Sequence, residues 1–106
     1  MGQPEKNSFD REDLKGRISV VIPAKNEETT LCKVIQKASS FADEILVVDG
    51  HSTDKTREVA SKLGVTVILD NGRGKGDGIK KGIKAATGDI LVFIDADGSH
   101  LQISKP

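Results

Sequence analysis

Four short runs rich in β-branched and other apolar residues recur along the chain and constrain its fold more than any other feature. They occupy residues 18–22, 44–48, 65–69 and 90–94. Each has the length and flanking residues of a buried strand rather than a helix. The runs lack a polar alternate face, which is typical of strands that are covered on both faces of a sheet.

The intervals between these runs carry apolar residues at helical spacing. The clearest stripe consists of Leu31, Val34, Ile35 and Ala38. Asn26 is predicted to cap this first helix, after Pro23 ends the first strand. Gly64 stands where the C-cap of the second helix belongs. Strands that alternate with helices predict an α/β fold, a parallel sheet with helices on both faces.

The two ends of the chain differ from this pattern. Residues 1–17 are polar and charged and predict a loose N-terminal tail, whereas residues 18–100 form the α/β unit. Residues 101–106 extend no recognisable motif, so the sheet is expected to stop, truncated, after the fourth strand.

Composition excludes several classes of protein. Lysines and arginines number 16, as do aspartates and glutamates, so the chain lacks the basic excess of a nucleic-acid binder. A single cysteine, Cys32, rules out a disulfide-stapled scaffold. No apolar run approaches the roughly 18–20 residues of a membrane span.

A polar segment follows each predicted strand, and two of the four segments contain glycine. These segments are residues 23–27, 49–54, 70–77 and 95–97. Because ligands of open α/β sheets bind at the carboxyl ends of the strands, the four segments predict one binding rim.

Carboxylates are the strongest chemical feature of that rim. Asp95 and Asp97 follow a strand with one residue between them, so both can approach one hard cation such as Mg²⁺ or Mn²⁺. The alternative is a simple Asp-Gly turn. Asp49 follows the second strand and can accept a hydrogen bond from a ribose hydroxyl or a base imide, or again only form a turn.

The glycine-rich segment 72–78 matches neither the dinucleotide-binding motif nor the P-loop. Its small residues permit close backbone approach, and Arg73 and Lys75 can face phosphate; a solvated loop is the alternative. His51 and His100 are isolated in the sequence and give little support to a zinc site.

Four motifs in this order resemble the nucleotide-binding half of family 2 glycosyltransferases with the Rossmann-like GT-A fold. They are residues 18–28 (ISVVIPAKNEE), 45–54 (ILVVDGHSTD), 74–76 (GKG) and 88–97 (GDILVFIDAD). Dolichyl-phosphate mannose and glucose synthases are the nearest type.

The resemblance implies a nucleotide-diphospho-sugar donor, linked to UDP or GDP, and a Mg²⁺ or Mn²⁺ cofactor. Asp95 and Asp97 would hold the metal and, through it, the diphosphate, with Asp97 as the catalytic group. Lys75 would lie near the donor. The residues expected to hold the base and ribose are Pro23, Ala24, Asn26, Glu27 and Asp49. The implied acceptor is a polyprenyl or dolichyl phosphate or a saccharide, in the cytoplasm or at the cytoplasmic face of a membrane.

Two departures from the family pattern matter. The second motif runs Asp49-Gly50-His51-Ser52 where many members carry Asp-Asp-Gly-Ser, so one acid is missing and the base stays open. The chain also ends soon after Asp97, so we expect it to lack an acceptor half. Two alternatives follow from that: a nucleotide-binding module without transferase chemistry, or an incomplete domain that associates with a partner or itself through an uncovered sheet edge.

Overall fold

A computed structural model describes residues 16–99 and 101–104 of the chain. The predicted tail lies outside the described residues except for Gly16 and Arg17. Arg17 is not loose: its N–H donates to the Asp89 carboxylate at 2.9 Å, and its carbonyl accepts the N–H of Asp89 at 2.7 Å. The ordered unit therefore includes the residue before the first strand.

Strands and helices alternate along the chain as predicted. In chain order the elements are β1 (Ile18–Ala24), α1 (Leu31–Ser39), β2 (Glu44–Asp49), α2 (Thr56–Lys62), β3 (Thr66–Leu69), α3 (Lys75–Ala85), β4 (Ile90–Ile94) and β5 (Leu101–Ser104). The strands form one sheet in the order β3-β2-β1-β4-β5. The first four strands are parallel to one another, which confirms the predicted α/β fold class.

The fifth strand corrects the expectation that the sheet stops after the fourth. A turn closed by the Gly98 N–H and the Asp95 carbonyl, 2.8 Å apart, follows β4. The chain then returns antiparallel to β4, with Leu101 opposite Ile94 and Ile103 opposite Val92. The sequence signal for β5 is only one short alternation of apolar and polar residues, too brief to separate a strand from a coil.

The start of the first helix was also predicted wrongly. Helix α1 begins at Leu31 with Thr30 at the N-cap position, four residues after Asn26. Asn26 itself has a left-handed backbone with φ 53°, whereas an N-cap residue typically has an extended one. Strand β1 runs through Pro23, which pairs with Val48 on β2. The proline is tolerated because the pairing of β1 with β4 ends at Val21, before the missing N–H.

The two faces of the sheet are covered differently. Helices α1 and α2 pack on one face over a core that includes Ile18, Val20, Ile22, Leu31, Ile35, Val47 and Val92. The opposite face buries Val21, Leu46 and Val48, and helix α3 lies against it. No helix among the described residues is long and apolar enough to cross a bilayer.

Helix α3 approaches the sheet through glycines that are four residues apart. A Cβ atom added at Gly82 would lie 2.6 Å from Cγ1 of Val21 and 3.1 Å from Cγ2 of Val48. At Gly78 the same atom would lie 3.2 Å from Cγ1 of Val48. Because Gly78 and Gly82 have no side chains, helix α3 can lie close to the sheet. The glycine-rich segment before α3 is thereby held close to the strand ends.

We expect Gly82→Ala to lower the free energy of unfolding by about 1–3 kcal/mol, because the methyl group overpacks the contact with Val21. Gly76→Ala is the matched control, since nothing lies within 4 Å of its Cβ position. That control should leave stability unchanged or raise it by up to about 1 kcal/mol through helix propensity. Urea unfolding of both variants measures the difference, and equal stabilities would contradict the close-packed position of α3.

Candidate functional site

A cleft of about 600 Å³ opens at the carboxyl ends of the parallel strands. Its lining comprises Pro23, Ala24, Lys25, Glu27, Val48, Gly50, His51, Asp70, Gly72, Gly74, Gly78, Asp95, Ala96 and Asp97. All four predicted rim segments contribute to this lining. Residues that are spread over more than half of the sequence therefore line one cleft.

The predicted site residues fall into three groups. Those that line the cleft are Pro23, Ala24, Glu27, Asp95 and Asp97. Asn26 and Asp49 do not line the cleft. Asn26 lies in the loop after β1, and Asp49 is the last residue of β2. The side chain of Lys75 lies outside the described structure, although its neighbour Gly74 lines the cleft.

Asn26 joins the loop after β1 to the loop after β2. Its side-chain oxygen accepts the N–H of Thr53 at 2.8 Å and that of Asp54 at 3.4 Å. Its own N–H donates to the Ser52 hydroxyl at 2.9 Å. Asparagine tolerates the left-handed backbone that this geometry needs. The residue predicted to cap its own helix instead binds the neighbouring loop, and we call this set of contacts the loop clasp.

The next two amides extend the loop clasp. Glu27 N–H donates to the Thr56 hydroxyl at 2.9 Å, and Glu28 N–H donates to the Asp54 carboxylate at 3.2 Å. The pKa of Asp54 lies below its ordinary value, chiefly because the Thr56 hydroxyl donates to the carboxylate, with further donation from backbone amides. Three consecutive amides of the first loop are thus held by side chains of the second loop and of the start of α2, and Glu27 is fixed in the cleft wall.

Asp49 lies beneath the loop clasp and is fully buried. Its Oδ1 accepts the Ser52 hydroxyl at 2.6 Å, and its Oδ2 accepts Ser52 N–H at 3.0 Å and Arg57 Nη1 at 2.9 Å. A buried carboxylate requires such partners, because an unpaired charge there would be strongly destabilising. These contacts favour a positioning role through Ser52, and direct contact of Asp49 with a base or ribose stays a prediction.

Asp95 and Asp97 stand on the turn after β4, on either side of Ala96. Ala96 is buried in the core under α1, while both aspartates line the cleft. Ser99 N–H donates to Oδ1 of Asp97 at 2.8 Å, and Gly98 supplies the left-handed residue of the turn with φ 77°. Both aspartates of the predicted motif therefore line the same cleft, on either side of a buried alanine.

The donor set of this turn fits a hard divalent cation. Carboxylate oxygens suit Mg²⁺ and Mn²⁺, which keep several water ligands and share their remaining positions with substrate phosphates. Within residues 16–99 and 101–104, no group of three or more histidine, cysteine, aspartate or glutamate side chains is arranged to hold a metal alone. Two protein carboxylates would fill only part of the coordination shell of such an ion and would leave positions for phosphate oxygens.

His51 and Asp70 form a pair that sequence reasoning missed. Nε2 of His51 lies 2.9 Å from the carbonyl oxygen of Asp70 and 3.3 Å from its Oδ1. Asp70 is buried at the end of β3, and its Oδ1 also accepts the N–H of Gly72 at 2.7 Å. In the sequence His51 has no nearby partner, because Asp70 lies 19 positions away. The two residues could have been paired from the predicted fold, since His51 follows β2, Asp70 follows β3 and the two strands are neighbours.

Comparison with known proteins identifies the family. The family model described as "Glycosyl transferase family 2" matches residues 19–103, so the chain belongs to glycosyltransferase family 2. An uncharacterised glycosyltransferase of Mycobacterium tuberculosis is 42% identical over 82 residues, which are 77% of this chain and 37% of that protein. Glucosyl-3-phosphoglycerate synthase of the same species is 39% identical over 92 residues, covering 76% of this chain and 28% of the synthase.

Solved structures confirm the GT-A fold. The M. tuberculosis glucosyl-3-phosphoglycerate synthase in complex with Mn²⁺, UDP and phosphoglyceric acid matches with a TM-score of 0.69 and 38% identity, covering 76% of this chain and 32% of that one. Mannosyl-3-phosphoglycerate synthase from Rubrobacter xylanophilus gives 0.74 and 31%, with 82% and 32% covered. The chain thus spans about a third of the length of the relatives it matches.

We expect Asn26→Gly to open the loop clasp, because glycine keeps the left-handed backbone but leaves the amides of Thr53 and Asp54 without their acceptor. The loss should be about 1–3 kcal/mol of local stability. Hydrogen–deuterium exchange at those two amides measures it. Asn26→Asp is the matched control, since the carboxylate keeps an acceptor oxygen and should preserve protection. Equal exchange in both variants would show that the side-chain oxygen does not hold the second loop.

Proposed function

We propose that the chain binds the donor of a glycosyl transfer, a nucleotide-diphospho-sugar linked to UDP or GDP, together with Mg²⁺ or Mn²⁺. The observation that carries this proposal is the single cleft that joins the Asp95–Asp97 turn to the clasped first loop and the glycine-rich third loop. The two aspartates could bind a metal ion beside the diphosphate. The first loop offers a fixed wall for the nucleoside, and the glycine-rich loop lets the backbone come close to the phosphates.

In this proposal Asp95 and Asp97 would hold the metal, and we assign Asp97 as the catalytic group because it would bind that ion. When bound, a divalent metal supplies Lewis-acid stabilisation to the negative charge that develops on the leaving diphosphate. The two carboxylates add no positive charge themselves, so their function is to fix the ion against the phosphates.

The remaining predicted residues divide into those that contact the donor and those that position them. Pro23, Ala24 and Glu27 line the cleft, and we assign them to the ribose and base. Asn26 and Asp49 position that wall through the loop clasp. Lys75 begins α3 directly after Gly74, which lines the cleft, and we assign its ammonium to the donor phosphates.

The named complexes of relatives support this assignment. The M. tuberculosis synthase has been solved with Mn²⁺, UDP-glucose and phosphoglyceric acid, at 38% identity to this chain. By that likeness, we propose hexosyl transfer as the activity of the whole protein. The phosphoglycerate synthases among the relatives favour a small phosphorylated acceptor over the polyprenyl or dolichyl phosphate that the sequence suggested.

Calorimetry with UDP-glucose and GDP-mannose, with and without Mn²⁺, tests the donor proposal. We expect one nucleotide sugar to bind, and Mn²⁺ to strengthen binding in the wild type. Asp95→Asn and Asp97→Asn should each lower the metal-dependent part by at least about tenfold, since even supporting residues of metal sites carry such effects. Glu58→Gln, an exposed acid on α2, is the control. A folded wild type that binds neither nucleotide sugar would refute the proposal.

Transfer of a labelled hexose separates the acceptor classes and the alternative of a binding module. The assay offers 3-phosphoglycerate in one arm and polyprenyl phosphate in the other, with the preferred donor and Mn²⁺. We expect label in the phosphoglycerate arm wherever transfer is seen. Transfer to the lipid arm alone would reverse the acceptor assignment. Transfer to either acceptor by this chain would exclude the nucleotide-binding module.

A further inference from the structure

The imidazole of His51 stands in the cleft wall under an unusual backbone constraint. Its φ of 62° lies in the left-handed region, where a residue with a Cβ atom is uncommon. The side chain is 48% exposed, whereas its partner Asp70 is 7% exposed. Strain of this kind persists where surrounding contacts enforce it, and it is concentrated at ligand sites.

The contact with Asp70 fixes the tautomer of the ring. A carbonyl oxygen can only accept, so Nε2 of His51, 2.9 Å from the Asp70 carbonyl, carries the proton and donates. The second near atom, Oδ1 of Asp70 at 3.3 Å, is also an acceptor and favours the same assignment. In the neutral ring Nδ1 is therefore a hydrogen-bond acceptor, the nitrogen through which His51 can contact a ligand.

The strand order places this acceptor away from the metal-binding turn. His51 follows β2 and the two aspartates follow β4, with β1 between them. Two strand spacings separate these ends, roughly 10 Å. A nucleoside diphosphate whose phosphates lie at Asp95 and Asp97 would thus extend across the end of β1 and bring its base toward the loop after β2.

The loop after β2 was expected to offer an acceptor for a base imide at Asp49. That carboxylate is buried, and both of its oxygens bond to Ser52 or Arg57. Gly50, the next residue, has no side chain. His51 follows and lines the cleft.

We propose that Nδ1 of His51 accepts a hydrogen bond from the ring N–H of the donor's nucleobase and is the residue that selects uracil or guanine over cytosine. This inference rests on the proposed nucleotide-sugar donor. Uracil carries a proton on N3, whereas cytosine presents an unprotonated acceptor at the same position. Cytosine would therefore set two lone pairs against each other, and a site built to pair with a donor discriminates against a base that lacks it.

The test compares UDP and CDP binding, with Mn²⁺, in the wild type and in His51→Gly. Glycine removes the ring and adopts the left-handed backbone without strain, so the variant should fold. We expect wild type to prefer UDP over CDP by about tenfold, which one hydrogen bond can supply. In His51→Gly the preference should fall to about twofold or less. Lys55→Ala, an exposed residue of the same loop, is the control and should keep the wild-type preference.

A GDP arm and an arm with inorganic pyrophosphate and Mn²⁺ complete the design. If the chain binds GDP rather than UDP, the comparison is GDP against ADP, because N1 carries a proton in guanine but not in adenine. His51→Gly should then lower the preference for GDP over ADP. Undiminished preference in His51→Gly would overturn the proposal, as would an equal loss of pyrophosphate binding, which would place the ring at the phosphates. Failure of wild type to bind any nucleotide would instead refute the donor function on which the inference rests.

Discussion

The geometry of the cleft depends on the loop clasp between the segments after β1 and β2. Three consecutive backbone amides, from Asn26 to Glu28, donate to side chains of the second loop and of the first residue of α2. The Asn26 side chain in turn accepts bonds from that loop's amides. The buried Asp49 carboxylate anchors the arrangement through Ser52. Because these bonds join protein groups to one another, the two loops hold each other, and together they fix the wall that carries Glu27.

The electrostatics of the site are local rather than global. The formal charge of the chain is zero, which excludes a broad basic surface but not phosphate binding. In the proposed site a divalent metal held by Asp95 and Asp97 neutralises the diphosphate. The buried carboxylate of Asp49 is paired with the half-exposed guanidinium of Arg57 at 2.9 Å. The charges of the site are thus balanced by neighbouring groups rather than by a basic surface.

Much of the fold and part of the site could be predicted from local pattern. The apolar runs predicted the four parallel strands, and the rule that ligands bind at strand ends predicted Pro23, Glu27, Asp95 and Asp97 on one rim. The antiparallel β5 could not be predicted because Leu101 to Ser104 carry only one short alternation of apolar and polar residues. The hydrogen bonds of Asn26 to Thr53 and of His51 to Asp70 were not predicted either, because they span 27 and 19 positions. Such bonds form only when neighbouring strands bring their ends together.

In the proposed donor site the metal lies at the turn after β4 and the nucleoside toward β2. Paramagnetic broadening of backbone amide signals by Mn²⁺, in the presence of the nucleotide diphosphate that binds, tests this arrangement directly. We expect broadening that is centred on residues 95–98, with shift changes from the nucleotide alone at residues 24–27 and 50–51. Broadening centred elsewhere, such as on the loop between α2 and β3, would contradict it.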